Sequence, residues 1–280
     1  MITPSLGQSH LDRSAIFNSP ESVEGFRSTL SEAEGVSAGE GPKPSFSDYL
    51  SLVPEFPRRM TQRFLKSNEV GQERTLNWLR GQEVFGDTFV GTGCLFSLDA
   101  FSKRPKAVSN LLILDISSKV KEFWDSVDEI VKTSDHREVA MLKMVEKFPK
   151  LDRDYLEGEG RWLSTDEQFL KVKDLFSSAS FSFHYADFHC PYTLNKLGEA
   201  LKLASRRIDT IYESNIGLAN FANSGKFGGE GLAKLVKDTL VANLVYEDLE
   251  KKYLEIYAAK DSGGDLTQHC FIRTFENPHA

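Results

Sequence analysis

The 280-residue chain is poor in cysteine, and Cys94, Cys190 and Cys270 are widely spaced, odd in number and form no Cys-x-x-Cys pair. A disulfide framework or a structural zinc site needs paired or clustered thiols, so neither organises this protein and a reducing compartment is expected. No apolar run approaches the roughly 20 residues of a membrane span. The opening Met-Ile-Thr-Pro-Ser-Leu-Gly-Gln lacks the basic and apolar regions of a secretory signal, so a cytoplasmic location is expected, with export by a signal-free route left open. Positive charge is also in deficit, since 34 Lys+Arg against 41 Asp+Glu give a net −7. That average field repels phosphate backbones and anionic membranes, so neither nucleic acid nor membrane is an expected partner. The basic cluster Lys103, Arg104 and Lys106 reads as a solvated helix end and loop.

What the chain does have is bulk: 40% hydrophobic residues and 20 Phe are enough for one large core. Residues 1–45 are rich in Ser, Glu and Gly and read as a mobile or surface extension, with a short helix expected around Ser19 to Glu32. Residues 46–280 then read as a single domain. Apolar stripes at helical spacing predict N-terminal helices over 46–85.

The organising stretch is Thr88 to Ser117. A β-prone run ends in Gly91-Thr-Gly93, a helical segment comes next, and a second apolar run, Asn-Leu-Leu-Ile-Leu, ends in Asp115. Glycines at a strand-to-helix turn let the backbone approach a ligand, and an acid at the next strand tip can accept hydrogen bonds from ribose hydroxyls. The fold expected is α/β: a Rossmann-like, doubly wound, mostly parallel sheet with helices on both faces. Where a dinucleotide fingerprint has its third glycine this chain has Phe96, which favours an adenosine cofactor without phosphates over a pyrophosphate-bearing one.

After a helix from Ser117 to about Lys132, the next strand begins only at Phe181, so residues 134–178 form a helical insertion. Ser164-Thr-Asp-Glu167 reads as a capping box there, and Tyr155 and Trp162 are candidates for a substrate wall, though core packing is the commoner role for both. Phe181 to Asp187 is the third strand, Tyr192 to Ser205 a helix, and Ile208 to Ile216 the fourth strand. Beyond it, Leu232 to Tyr257 has a helical pattern, with strand over Thr239 to Tyr246 as the alternative reading, and Cys270 to Phe275 is the one clear late strand.

This succession resembles the class I S-adenosylmethionine-dependent methyltransferases: motif I at Gly91-Thr-Gly93, the acidic strand end at Asp115, and a second block of strand, acid and helix leading to a fourth strand with a small polar end. The resemblance implies S-adenosylmethionine as cofactor, and the net acidic charge with the helical insertion points to a small molecule or a protein side chain as methyl acceptor. The resemblance further implies Gly91 and Gly93 beside the methionine part, Asp115 at the ribose, Asp187 at the adenine, and Ser214 and Asn215 beside the transferring methyl. It also implies three further strands, the last two antiparallel. The family often places an acid within the first strand, whereas Asp87 here lies just before it. That departure keeps open a catalytically inactive nucleoside-binding or interaction protein on the same fold, and Gly91-Thr-Gly93 with Asp115, features shared with NAD(P)-dependent oxidoreductases, keeps an oxidoreductase open as a further alternative. The cluster His184, Asp187, His189 and Cys190 has the wrong spacing for one metal, and Gly225-Lys226 lacks the rest of a P-loop, so no metal site is expected.

Overall fold

Leu111, Leu112, Ile113 and Leu114 are all buried, and side chains on a strand alternate in direction, so this run is covered on both faces. It forms β2 (Asn110–Asp115), whose Leu111 and Ile113 enter one core while Leu112 and Leu114 enter another. The structure is a computed structural model and describes residues 44–55, 57, 65–66, 70–186, 191–214, 252–260 and 268–276. The chain divides into two compact units, Met1–Pro44 and Ser45–Ala280, and the sheet with its helices belongs to the second. The helix expected around Ser19 to Glu32 lies outside the described residues.

The central strand β1 (Thr88–Gly91) is paired in parallel with β2 on one side and β4 (Ile208–Ser214) on the other. Outside β2 runs β3 (Phe181–Tyr185), and outside β4 runs β5 (Lys252–Lys260), both parallel. An antiparallel edge strand, β6 (Gln268–Glu276), completes the order β3-β2-β1-β4-β5-β6. The chain therefore winds outward from β1 to β3 and returns to lay β4 on the other side of β1, which makes the β1/β4 boundary a topological switch point. The helical reading of Leu232 to Tyr257 fails from Lys252 onward, and the described late strands are two. Residues Tyr253, Leu254, Glu255 and Ile256 are all buried, so β5 carries no alternation that would separate it from a helix by pattern alone.

Eight helices are described: α1 (Phe46–Leu50), α2 (Gln72–Leu79), α3 (Leu95–Lys103), α4 (Ser118–Lys132), α5 (Arg137–Lys147), α6 (Arg153–Glu157), α7 (Asp166–Ser177) and α8 (Pro191–Leu203). Phe46 and Leu50 of α1 share a core with Leu194, Leu197 and Leu201 of α8. Residues of α2, α3, α4, α5 and α7 fill the core on the other face, so helices cover both sides of the sheet. The N-cap of α7 is Thr165, one residue later than expected, and it accepts from the Gln168 N–H without the reciprocal bond of a capping box.

The insertion contributes its apolar residues to this second core. Trp162 is fully buried and tilted against Phe169 of α7, which corrects its assignment as a substrate wall. Tyr155 is half-buried between the Lys66 ammonium and the Arg161 guanidinium. The insertion is tied to α3 by Asp99, whose carboxylate accepts from Arg161 Nη1 at 2.9 Å and from the Trp162 N–H at 2.8 Å. Burial pushes the Asp99 carboxyl up to about 6, against the pull of Arg161 and of the Trp162 N–H. The folded value lies above the ordinary 3.8, so the Asp99 contribution to stability is complete below that pH and is lost as pH rises through about 6. Relative to Asp99→Asn, the native protein is expected to lose roughly 2–3 kcal/mol between about pH 4 and pH 7. Thermal melts of both proteins across that range check this, and a pH-independent difference contradicts it.

Arg104 also departs from its expected place in a solvated cluster. Its side chain and that of Asp209 are both fully buried, and the guanidinium meets the carboxylate through Nε at 2.7 Å and Nη2 at 2.8 Å. Remaining donors go to the carbonyls of Leu79, Gln82 and Glu83, and Asp209 further accepts from the Phe85 N–H and Thr210 Oγ1. The pair fastens the end of α2 and the turn after α3 to the first residues of β4.

Candidate functional site

At the end of β1 the chain turns into α3 through Gly91, Thr92 and Gly93. A Cβ on Gly91 would stand 2.7 Å from Ser97 Oγ and 3.1 Å from Ser97 Cβ, so the glycine lets α3 lie directly against the strand tip. Gly91→Ala is expected to destabilise the protein by about 1–3 kcal/mol through this overlap, and Ser97→Ala in the same chain to restore part of it. Urea unfolding of the single and double variants measures both, and an unchanged midpoint for Gly91→Ala would remove the close contact. Gly93 has a φ of 69°, the left-handed conformation that side chains resist, and a Cβ there would meet no heavy atom within 4 Å. Among the described residues, the space beside Gly93 is open.

Phe96 does not crowd this turn. It is buried with its ring 4.7 Å from that of Tyr212 on β4, and Ser97 takes the position against the strand. Phe96 therefore gives no steric reason against a dinucleotide, which corrects the expectation drawn from its position. A different observation bears on phosphate: the Leu95 N–H, at the first residue of α3, donates to the Leu65 carbonyl at 3.3 Å, which engages a donor that a phosphate at the helix N-terminus would use.

Asp115, at the tip of β2, closes the turn from the side. Its Oδ2 accepts from the Gly93 N–H and from Thr92 Oγ1, each at 3.1 Å, and its Oδ1 accepts from the Ser117 N–H at 2.8 Å. Burial holds its carboxyl above the ordinary carboxylate range, opposed by hydrogen bonds from the backbone of Ser117, Gly93 and Ile116 and from Thr92. Ser117 in turn caps α4 by accepting from the Lys119 N–H at 3.2 Å. From α4, Trp124 donates its indole N–H to the Gly93 carbonyl at 2.8 Å and stacks on Phe181 of β3. One carboxylate and one indole thus fix both polar groups of the Gly93 backbone.

The parallel strands bring Gly91, Asp115, Tyr185 and Ser214 to the same edge of the sheet, with Asp115 in register with Tyr185. Ser214 is the last residue of β4 and lies opposite Tyr257 of β5. Asp187 and Asn215 lie outside the described residues. Tyr212 is buried under Phe96 and does not face the edge. Asp87 serves the opposite end, accepting from Thr88 Oγ1 and from the Arg207 N–H. Sequence reasoning misses Thr92, Ser97 and Trp124. A small residue at position 97, in the first turn of the helix after Gly91, is the available signal for the close contact; nothing local marks Trp124.

His184 is buried, with Nδ1 3.3 Å from Glu55 Oε1 and Nε2 3.3 Å from the Pro54 carbonyl, and burial lowers its pKa against the opposing pull of Glu55. It borders a cavity of about 850 Å³ off the β3 edge, together with Phe183, Lys121 and Asp125. His189 and Cys190 lie outside the described residues, and among the described residues no group of three His, Cys, Asp or Glu side chains could hold a metal. No described helix is long and apolar enough to cross a membrane.

Fold and strand-tip geometry together define a doubly wound α/β protein with a glycine turn and an acidic strand end beside its switch point. No protein-family model matches the chain, and no curated protein matches it.

Proposed function

We propose that the chain binds S-adenosylmethionine at the β1/β4 switch point and transfers its methyl group to a small molecule or a protein side chain. The observation that carries this reading is the hydrogen-bonded union of the Gly91–Gly93 turn with Asp115, at the sheet edge where doubly wound folds receive nucleosides. The antiparallel edge strand β6 supports the resemblance to class I methyltransferases, which end in antiparallel strands. The space beside Gly93, open among the described residues, admits a ligand against the backbone.

The sulfonium of the bound cofactor supplies an already activated methyl group. What remains for the protein is to orient the acceptor and exclude water. Asp115 already accepts several hydrogen bonds, and a carboxylate has about four acceptor sites, so a ribose hydroxyl joins by displacing the Thr92 hydroxyl, a side-chain donor that rotates away. Ser214, at the end of β4, and Asn215 after it are the groups proposed to position the acceptor; Asp187, following β3, is proposed for the adenine.

A second reading draws on the same carboxylate. Asp115 so engaged also describes a turn that is complete without a ligand, as in a non-catalytic interaction protein that keeps the fold. Calorimetric titration with S-adenosylhomocysteine, with NAD as comparison, separates the readings. Binding in about the micromolar range, with NAD at least roughly tenfold weaker, is the expected result. Binding of neither ligand overturns the cofactor assignment, and binding of NAD alone replaces it with an oxidoreductase.

A further inference from the structure

At the far end of α3 from the glycine turn, about 13 Å along the helix by its length of 9 residues, lies a second cavity of about 240 Å³. On a chain of net charge −7, its lining is cationic: Arg80, Lys103, Arg104, Lys106 and Lys171 against the single carboxylate of Glu167. Arg104 is neutralised by Asp209, and Lys171 directs its ammonium at backbone carbonyls, which leaves Arg80, Lys103 and Lys106 facing one acid. That acid is mostly exposed and stands 3.9 Å from Arg80, a pairing of small energetic weight.

Arg80, the neighbouring Lys103 and Lys106, and Lys171 come from three separate places in the chain, which makes their meeting a product of the fold. Lys171, from α7, points its ammonium at the carbonyls of Phe101, Arg104 and Pro105 and so caps the end of α3. Among the described residues Lys103 and Lys106 have no hydrogen-bond or ion-pair partner. Burial, and next to it the Arg104 guanidinium, pushes the Lys171 ammonium down to about 7. Lys103 is lowered in the same way, by burial first and by Arg80 second. Carboxylates oppose both shifts, Asp209 and Glu167 at Lys171 and Asp99, Glu159 and Glu167 at Lys103, so the repulsion that an anion in the cavity would relieve is the one between Lys103 and Arg80.

We propose that this cavity binds a phosphate group, free or esterified to a small body, held by Arg80 and Lys103 beside the C-terminal end of α3, where Lys171 covers the carbonyls that would otherwise repel it. Its volume lies below the roughly 300–1,000 Å³ of drug-sized pockets, which limits the body to a few atoms beyond the phosphate. Arg80 offers a planar fork suited to two phosphate oxygens, and Lys103 a point charge. The site is independent of the cofactor reading, since it shares no residue with the glycine turn.

The test is calorimetric titration of the full chain with inorganic phosphate and with phenyl phosphate at constant ionic strength, with sulfate and chloride as comparisons. Saturable binding is expected, weakened at least about tenfold in Arg80→Glu and in Lys103→Met and unchanged in Lys150→Glu, a reversal at an exposed lysine elsewhere. Tighter binding of phenyl phosphate identifies an ester as the ligand, and equal binding identifies the free ion. Lys103→Gln replaces Lys103→Met if the latter does not fold. The proposal is overturned if neither probe binds at roughly 10 mM, if chloride competes as well as phosphate, or if Lys150→Glu weakens binding as much as Arg80→Glu.

Discussion

Arg104→Met is expected to lower the unfolding free energy of the domain by about 3–5 kcal/mol, the cost of leaving one partner of a buried ion pair without the other. The variant strands the Asp209 carboxylate in a site where both side chains are fully buried, and it removes the donors to the Leu79, Gln82 and Glu83 carbonyls. Asp209 keeps the Phe85 N–H and Thr210 Oγ1, so its charge is softened and not left bare. Adding Asp209→Leu should recover part of the loss, because the stranded charge goes; the three carbonyls still lack their donor, so recovery is incomplete. Urea midpoints of the two single variants and the double variant measure the coupling. A loss below about 1 kcal/mol in Arg104→Met would place the pair with surface bridges and contradict its burial.

Asp115→Ala is expected to weaken S-adenosylhomocysteine binding by about 1–3 kcal/mol, roughly fivefold to 150-fold, the range for charge-assisted hydrogen bonds. The same variant also frees the Gly93 N–H and the Ser117 N–H, so a loss of affinity alone leaves two explanations: a missing ribose contact or a loosened turn. Thr92→Val separates them. It removes one donor from Oδ2 while leaving the carboxylate and both backbone bonds in place. If the ribose displaces the Thr92 hydroxyl, Thr92→Val binds as well as the native protein or better. If Asp115 acts only by holding the turn, Thr92→Val weakens binding in the same direction as Asp115→Ala, by a smaller amount. Titration of both variants, with a thermal melt to show that each folds, gives the answer.

The centre of the fold is legible in the sequence because its signals are local. β1, β2 and the turn between β1 and α3 are carried by Gly91, Gly93 and a run of apolar residues ending in an acid, and each feature acts within its own segment. Burial on both faces of β2 follows from the unbroken apolar run. Legibility fails where the cause is distant in sequence. Arg104 looks like one of three surface cations because its partner, Asp209, is 105 positions away. Trp162 looks available to a substrate because nothing near it in the chain shows that Phe169 and the sheet-side core receive it. β5 misleads for another reason: a strand buried on both faces loses the period of two that identifies a strand, and Lys252 to Tyr257 comes at the end of a stretch with helical spacing. The sequence puts Phe96 in the right turn with the wrong neighbour, since which of two adjacent helical residues meets a strand depends on helix rotation that spacing does not fix.

The hydrogen bond from Trp124 to the Gly93 carbonyl gives the molecule a native optical gauge. Indole emission responds to the polarity and geometry around its N–H, and this indole is buried against the one turn where a nucleoside is proposed to enter. Of the three tryptophans, Trp78 is 42% exposed and contributes a solvent-coloured background that a conservative Trp78→Phe exchange removes, while Trp162 sits deep in the core and serves as an internal reference. Movement of the glycine turn is therefore readable without any attached dye, on the timescale of mixing, and in the unmodified backbone.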